Sequence, residues 1–431
     1  MAHIIPFHGI RYDNGKTFIG DVATKPYDKI SATEQDLYYH KSPYNCVRLI
    51  LGKQTAGDSE LDNRYTRAAN TLKQWIDEKI LVREEAPALY IYDQQFQAEG
   101  YPSMKRRALV GLCRLEPYSA KVVFPHEKTL TGPKQDRLNL LKTTKTQFGH
   151  IFMLYKDERN DVNTQLDMVA KTQAPLYKFT DSIAVTHKFW RVSDTGMIKK
   201  ITGLFTDKQL LIADGHHRYE TALNYCREMT GSDPADKPDS PYAYQMMSFV
   251  NMYDPGLLIL PTHRAVRQAD VPDGWFERLE SYFYLETVAR SRFSLRDIDH
   301  EGTVKIGLYR GGDSVNILTL KNKDAVSKLM AQGKPPAWYG LPVTVLHDVI
   351  LDHLMGIDKE KLAAQSHVSY PATLDQGYDM VDDGSHRAVF FVPPTPIDAV
   401  CDISFAGETM PQKSTDFFPK IYTGLVFNKL D

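Results

Sequence analysis

The stretch from Gln209 to Met229 constrains the fold of this chain more than any other segment. It opens with a short apolar run, Leu210 to Ala213, which predicts a buried strand. An Asp-Gly-His-His-Arg turn follows at residues 214–218, and apolar residues then recur at the spacing of a helix, at Tyr219, Ala222, Leu223, Cys226 and Met229. The polar turn therefore joins the end of a strand to the first turn of a helix.

Other segments of the first half show the same alternation of strands and helices. An amphipathic helix is predicted between Asp58 and Glu85, capped by Asp58 or Ser59, and a shorter helix from Asp136 to Lys142. Apolar runs predict strands at residues 88–92, 107–115, 121–124 and 151–155. This alternation predicts a mixed α/β (α+β) fold rather than a helical bundle or a β-sandwich.

The turn at residues 214–218 has the chemistry of a phosphate-binding site. The first backbone N–H groups of a helix lack partners within the helix, and the helix dipole is positive at that end. Gly215 allows close approach of a ligand, Arg218 can donate two parallel hydrogen bonds to phosphate oxygens, and His216 and His217 can donate further ones. Asp214 would repel a bare phosphate, so it is expected to bind magnesium, cap the helix or act on a hydroxyl. In the alternative interpretation, Asp214 is only a cap and both histidines are surface residues.

Two resemblances to known families start from this turn. The Asp-Gly-His-His-Arg turn resembles the phosphate-binding signature of the ParB/sulfiredoxin superfamily, which includes free serine kinases, ParB and sulfiredoxin. Nearly the whole chain resembles domain-of-unknown-function family number 1015, through Pro6–Arg11, Ser42–Asn45, Phe124–Thr129, Asp214–Arg218, Leu260–Arg264 and Met410–Thr415. The resemblance implies a ParB/sulfiredoxin-like nucleotide-binding core with insertions, which would use ATP or ADP together with magnesium held by Asp214.

The segment Phe124-Pro-His-Glu127 is similar to the His-Glu pair of free serine kinases, in which the glutamate is the general base. The resemblance implies that Glu127 accepts the proton of an attacking hydroxyl, with Asp214 and His216 also catalytic. In the alternative interpretation, Glu127 and Thr129 belong to the start of the helix ahead of Asp136.

Two further polar segments are candidates for binding. His263 and Arg264 follow Pro261 at the end of a predicted strand, Leu257 to Leu260, and are expected to bind a phosphate or a substrate carboxylate. Lys413, Ser414 and Lys420 offer cations and a hydroxyl for the same purpose. In the alternative interpretation, both segments are surface loops without a binding role. The Pro-fixed turns Lys25–Asp28 and Ser42–Asn45 either line the pocket or are simple turns.

Several enzyme classes are excluded by missing motifs. The glycines form neither a G-x-G fingerprint nor a G-x-S-x-G elbow, which argues against a dinucleotide-binding dehydrogenase and an α/β-hydrolase. The P-loop motif is absent, because Gln412 occupies the position before Lys413 where the motif requires glycine. The zincin motif is absent, because Leu130 occupies the position of its second histidine. A His/Asp metal site from Asp214, His216, His217 and His263 stays open as an alternative.

The composition favours a small-molecule enzyme over a nucleic-acid-binding or membrane protein. Lys+Arg 52 balance Asp+Glu 54, and the chain has no basic tail, no helix-turn-helix pattern and no long apolar run. Four distant cysteines and the lack of a secretory signal predict a cytoplasmic protein.

The predicted organisation is a ParB/sulfiredoxin-like core with an N-terminal elaboration at residues 1–268 and a C-terminal α/β region at residues 269–431 that folds back on it. The predicted activity is transfer of a nucleotide phosphate to the hydroxyl of a small metabolite such as free serine. The alternative is a ParB-like, nucleotide-binding regulatory or DNA-associated protein without kinase activity.

Overall fold

The predicted strand, turn and helix lie in the first of two units into which the chain divides. The structure is a computed structural model that describes residues 1–127, 132–268, 271–299, 302–364 and 366–430. Met1–Pro125, Thr129–Leu258 and Pro419–Asp431 form the first unit, and His126–Lys128 and Ile259–Phe418 form the second.

The first unit contains most of the strands that the sequence predicts. Up to residue 251 its strands are β1 (Ile4–Ile5), β2 (Ile10–Tyr12), β3 (Leu81–Arg83), β4 (Leu89–Gln97), β5 (Ser103–Arg114), β6 (Val123–Phe124), β7 (Thr146–Gln147), β8 (Ile151–Tyr155), β9 (Tyr177–Thr180), β10 (Thr186–Val192), β11 (Leu210–Asp214) and β12 (Tyr244–Asn251). Its α-helices are α1 (Ile19–Val22), α2 (Ala32–Lys41), α3 (Val47–Ile50), α4 (Arg64–Asp77), α5 (Gly132–Thr144), α6 (Asp161–Thr172), α7 (Thr195–Gly203) and α8 (His216–Thr230).

Nine of these strands form one mixed sheet. Their order is β6-β11-β8-β12-β5-β4-β10-β9, and β1 pairs with β5. The pairs β11–β6 and β12–β8 are parallel and the other pairs are antiparallel. Every residue of β8 and β12 is buried, which accounts for the continuous apolar sequence of β8, whereas β12 also buries the polar residues Gln245, Ser248 and Asn251. Together with the helices, this sheet confirms the predicted mixed α/β class.

The helix predicted between Asp58 and Glu85 is shorter than the periodicity indicates. Its cap is Asn63, whose side chain accepts from the backbone N–H of Thr66. The Thr66 hydroxyl oxygen in turn accepts from the backbone N–H of Asn63. It ends at Asp77 because Lys79 adopts a left-handed φ of 59°. Ile80 N–H then donates to the carbonyl of Trp75 at 2.8 Å, and the chain turns into β3. The predicted cap at Asp58 or Ser59 and the predicted helical end are therefore wrong.

The second unit has an antiparallel sheet and an unusual helix. Its strands include β13 (Leu258–Leu260), whose first residue belongs to the first unit, β14 (Arg264–Arg267), β15 (Phe283–Ala289), β16 (Lys305–Tyr309), β17 (Ser314–Leu320), β18 (Val368–Ser369), β19 (His386–Phe391) and β20 (Asp416–Phe418), and β21 (Asn428–Lys429) returns to the first unit. Its α-helices are α9 (Trp275–Leu279), α10 (Lys323–Ser327), α11 (Pro342–Val345), α12 (Lys359–Ala363), α13 (Leu374–Asp382) and α14 (Ile397–Phe405). Six strands pair in the order β15-β17-β16-β19-β14-β18. Residues Leu346–Leu354 form a π-helix.

The two units differ in their bounds from the two domains that the sequence predicts. The sequence places a boundary after residue 268, whereas the second unit starts at Ile259 and therefore includes β14. Pro419–Asp431 rejoins the first unit, where β21 pairs with β7. The assignment of a nucleotide-binding role to one domain stays a prediction.

Two global features agree with the composition. All four cysteines are free and buried. None of the helices in the described ranges combines the length and apolar character that crossing a membrane requires.

A buried ion pair joins β4 to β5 inside the first unit. Arg107 faces Asp93 across the strands and donates to both of its carboxylate oxygens, at 2.6 and 2.5 Å. Both side chains are more than nine-tenths buried. Removal of Arg107 would leave Asp93 as an uncompensated buried charge, whereas Arg107 has a second partner in Asp167.

We expect Arg107→Ala to lower the free energy of unfolding by about 3–5 kcal/mol, since Asp93 loses its buried partner. Urea unfolding of the full chain, followed by circular dichroism, measures the effect. Arg227→Ala is the control, because Arg227 and its partner Asp233 are both largely exposed and solvent screens their interaction. Equal shifts in the two variants would contradict the prediction.

Candidate functional site

The polar turn sits where the sequence predicts it. Asp214 is the last residue of β11, and α8 begins at His216. Gly215 is the N-cap, with a left-handed φ of 102° and no side-chain capping bond, so the interpretation of Asp214 as the helix cap is wrong. His216 is buried and His217 is half-buried, so His216 is not a surface residue. Of the predicted apolar face of α8, Met229 is exposed and the other members are buried.

Arg218 folds back over the turn. Its Nη1 donates to the backbone carbonyl of His150, and its Nη2 lies 3.8 Å from Asp214 Oδ2. A Cβ atom on Gly215 would lie 3.0 Å from Nη2, so the Arg218 side chain would have to shift, and the left-handed backbone itself favours glycine. The guanidinium therefore lies directly against the backbone of the turn.

The charge around Asp214 is predominantly positive. Burial would raise the pKa of its carboxyl, but Lys420, Arg218, Lys29 and His216 outweigh burial and lower the pKa from the ordinary 3.8 to about 2. This carboxylate favours the folded state above about pH 4, and the contribution is lost as the pH falls towards 2. At neutral pH Asp214 is an anion within a cluster of cations.

A pocket of about 70 Å³ adjoins Arg218 in the first unit. Tyr27, from the predicted Lys25–Asp28 turn, lines it together with Arg137. The Arg137 guanidinium lies 3.8 Å from the centroid of the Tyr27 ring and donates to the carbonyl of Ile50 at 2.8 Å. The pocket thus has cationic and aromatic walls beside the turn. Neither residue of the pair Tyr44 and Asn45 lines it.

Three residues near the polar turn are not predicted from the sequence. Lys29, Arg137 and His150 come from distant segments with no motif, and only the packing of those segments brings them to β11 and α8. His150 is buried, and burial together with the charge of Arg218 lowers its pKa to about 3. Its position directly before the buried strand β8 is a sequence signal, since polar residues at strand ends often face a site.

In the second unit, two of the predicted segments meet at Glu127. The backbone N–H of Ser414 donates to Glu127 Oε1 at 3.1 Å, and Glu127 forms an isolated parallel bridge with Met410. Ser414 is buried, and its hydroxyl donates to the carbonyl of Pro411 at 2.6 Å. The Glu127 carboxylate is thus held by a segment 287 residues away. Thr129, which the helix-start interpretation pairs with Glu127, lies outside the described residues.

Arg264 and His263 are core residues rather than the end of a projecting strand. Arg264 begins β14 and is 1% exposed, so the alternative interpretation of this segment as a surface loop is wrong. Its Nη2 donates to the carbonyls of Gln412 and Lys413 at 3.2 and 3.0 Å. Burial lowers its pKa to about 10, so Arg264 remains a cation at neutral pH. Its guanidinium holds the turn that precedes Ser414.

His263 is fully buried next to Arg264. Its Nδ1 accepts from the backbone N–H of Val392 at 3.2 Å, so neutral His263 carries its proton on Nε2. Burial and the charge of Arg264 lower its pKa to about 3. Nε2 has no hydrogen-bond partner within the described part of the chain.

The predicted residues therefore form two groups. Asp214, Gly215, His216, His217 and Arg218 belong to the first unit, as does Lys420. The second unit contains Glu127, His263, Arg264, Lys413 and Ser414. Lys413 is exposed with a φ of 59°, whereas Lys420, from the same predicted segment, contributes to the charge around Asp214.

The described residues contain no dedicated metal site. Within the described ranges, no group of three or more His, Cys, Asp and Glu side chains is arranged to hold a metal ion. The alternative site from Asp214, His216, His217 and His263 is therefore absent. Magnesium commonly uses one or two carboxylates together with substrate phosphates, so its binding by Asp214 stays a prediction.

Solved structures of similar proteins include nucleotide complexes. A free serine kinase in complex with AMP is 11% identical, with a TM-score of 0.34, and the match covers 70% of this chain and 89% of the kinase. A conserved hypothetical protein from Pyrococcus furiosus is 13% identical, with a TM-score of 0.33 and the same coverage. SbnI with a C-terminal truncation, from Staphylococcus aureus, is 11% identical, with a TM-score of 0.33 and coverages of 72% and 84%.

No curated protein matches the sequence. A family model described as "Protein of unknown function (DUF1015)" matches residues 4–344. This range includes the polar turn, Glu127 and Arg264, and it ends before the Met410–Thr415 segment. The match confirms the second resemblance, whereas the link to the ParB/sulfiredoxin superfamily stays a prediction. The chain belongs to the DUF1015 family.

Proposed function

We propose that this protein transfers a phosphate from ATP or ADP to the hydroxyl of a small metabolite such as free serine. The observation that carries the proposal is the cluster of Lys420, Arg218 and Lys29 around Asp214 at the start of α8. Because these cations outnumber the carboxylate, the end of the helix attracts an anion of several charges, and a nucleotide polyphosphate is such an anion.

Gly215 and Arg218 have different roles in the proposed binding of the phosphates. Gly215 exposes the backbone at the start of α8, and Arg218 supplies a guanidinium that is already held against that backbone. The pocket beside Arg218 is small, so it accommodates part of the nucleotide rather than the whole. Magnesium would be held by Asp214 and the phosphates, and would neutralise phosphate charge.

Glu127 is the proposed general base. It accepts the proton of the acceptor hydroxyl as the hydroxyl oxygen bonds to the terminal phosphorus, and the bond from that phosphorus to the leaving nucleotide oxygen breaks. The N–H of Ser414 holds one carboxylate oxygen in place. Arg264 is proposed as a positioning residue, because its guanidinium holds the carbonyls of Gln412 and Lys413 directly before Ser414.

We expect Arg218→Ala to weaken ADP binding by about 10-fold to 100-fold, the range for hydrogen bonds to charged groups. Isothermal titration calorimetry, with and without magnesium, measures the affinity. Arg227→Ala is the control, because Arg227 lies on the same helix, pairs with Asp233 and is largely exposed. Unchanged ADP affinity in a folded Arg218→Ala variant removes the phosphate role of the turn.

We expect Glu127→Gln to preserve nucleotide binding and to reduce turnover by about 10²-fold to 10⁴-fold, the usual contribution of a general base. The glutamine carbonyl can still accept from Ser414 N–H, so the local structure is retained. Mass spectrometry of phosphorylated products, with ATP or ADP and serine or other hydroxylated metabolites, measures turnover.

Glu286→Gln is the control for this experiment, since Glu286 is an exposed residue of β15. Normal turnover in Glu127→Gln would assign the base to another residue. Nucleotide binding without turnover on any hydroxylated metabolite would support the ParB-like regulatory alternative.

A further inference from the structure

The second unit contains a cavity of about 240 Å³, larger than the pocket of about 70 Å³ beside Arg218. Its walls come from the π-helix, from α12 and from the segment Thr409–Gln412. Trp338, Tyr370 and Leu362 form much of its apolar surface. Two of its lining residues contact residues of the proposed phosphate transfer, since Met410 bridges Glu127 and the carbonyl of Gln412 accepts from Arg264.

The π-helix places polar residues in the wall of this cavity. Its backbone makes wide turns, such as the bond from Met355 N–H to the Ile350 carbonyl at 2.9 Å. π-helical segments are rare and occur frequently at functional sites, because their loose geometry is kept only where something requires it. Here His347, Asp348 and Asp352 from the π-helix all line the cavity.

His347 presents a hydrogen-bond donor. Its Nε2 accepts from Arg264 Nε at 3.0 Å, so the proton of the neutral ring is on Nδ1. Burial and the charge of Arg264 lower the pKa of His347 well below its ordinary value, so the ring is neutral at pH 7. His347 is 6% exposed, and Nδ1 has no hydrogen-bond partner in the described part of the chain.

Asp348 presents an acceptor with negative charge. It is 8% exposed, and its Oδ2 accepts from the backbone N–H of Ala331 at 3.1 Å. Its Oδ1 has no hydrogen-bond partner among the described residues. An oxygen of a buried carboxylate that lines a cavity without a protein partner is suited to bind a ligand.

Two lysines and two aspartates line the cavity, and one of the lysines is paired with a carboxylate outside the lining. Lys334 is paired with Glu408, so its ammonium is compensated within the protein. Lys359 lies near Asp352 at the exposed edge, which leaves Asp348 without a cation. Burial and the charges of Asp348 and Asp358 raise the pKa of Asp352, so Asp348 and Asp352 lie close enough to interact.

We infer that this cavity binds a small molecule with a primary ammonium group and an apolar body. The ammonium contacts Asp348 and Asp352, and a ligand acceptor takes the hydrogen bond of His347 Nδ1–H. The apolar body packs against Trp338 and Tyr370. A metal ion is a poorer occupant, because the described residues provide no group of three metal-ligating side chains. The inference stands independently of nucleotide binding.

Calorimetry of the full chain tests this site with three amines, phenylethylamine, tryptamine and putrescine, each beside its hydroxyl analogue. We expect at least one amine to bind at least about tenfold more tightly than its analogue, because only the amine compensates the charge of Asp348. Binding of no amine at millimolar concentration, or equal binding of amine and alcohol, would overturn the inference.

Two variants locate the binding. Asp348→Asn keeps an oxygen for Ala331 N–H and removes the charge, so we expect about a tenfold loss of amine affinity. Asp352→Asn alters an exposed residue, and we expect a smaller loss in the same direction. Asp379→Asn, on the exposed side of α13, is the control. Unchanged amine affinity in both folded variants would place the amine elsewhere and overturn the inference.

Discussion

The left-handed turn at Gly215 is the constraint on which the candidate site depends. It follows a strand whose first four residues are buried and precedes a fifteen-residue helix, so Asp214 and the first turn of α8 share one small space. Arg218 occupies the room that a Cβ atom on Gly215 would need. This close packing places a guanidinium and a carboxylate beside the same helix N-terminus, and Lys420 and Lys29 make the surroundings positive. The electrostatics of the turn therefore follow from its backbone geometry.

Local patterns predict the parts of the fold that local forces decide. The apolar run of β8 and the strand-to-helix transition at β11 and α8 are both confirmed, because burial and periodicity act within a few residues. The end of α4 is not predicted, because Lys79 occupies the left-handed turn where glycine, the usual sequence signal for a helix end, is absent. The strand β3 that follows this turn pairs with β2, a long-range contact that the periodicity of α4 does not indicate.

Contacts over long sequence separations account for the remaining differences. Arg264 has the sequence context of a projecting strand end, yet it begins a sheet strand and binds the carbonyls before Ser414. Glu127 and Ser414 are brought together by the fold of the second unit, and no spacing rule connects them. The π-helix is also not predicted from the sequence. The pair His347-Asp348 within the largely apolar segment from Val343 to Leu354 is the sequence signal that points to it. Side chains that act through packing are thus the hardest to identify from sequence.

The central claim is that the start of α8 binds the phosphates of a nucleotide. A crystal structure of the full chain with magnesium and a non-hydrolysable ATP analogue tests it most directly. The account predicts phosphate oxygens within hydrogen-bond distance of the backbone N–H groups at the start of α8 and of the Arg218 guanidinium. Phosphates bound elsewhere, with the turn unchanged and without a ligand, would contradict it.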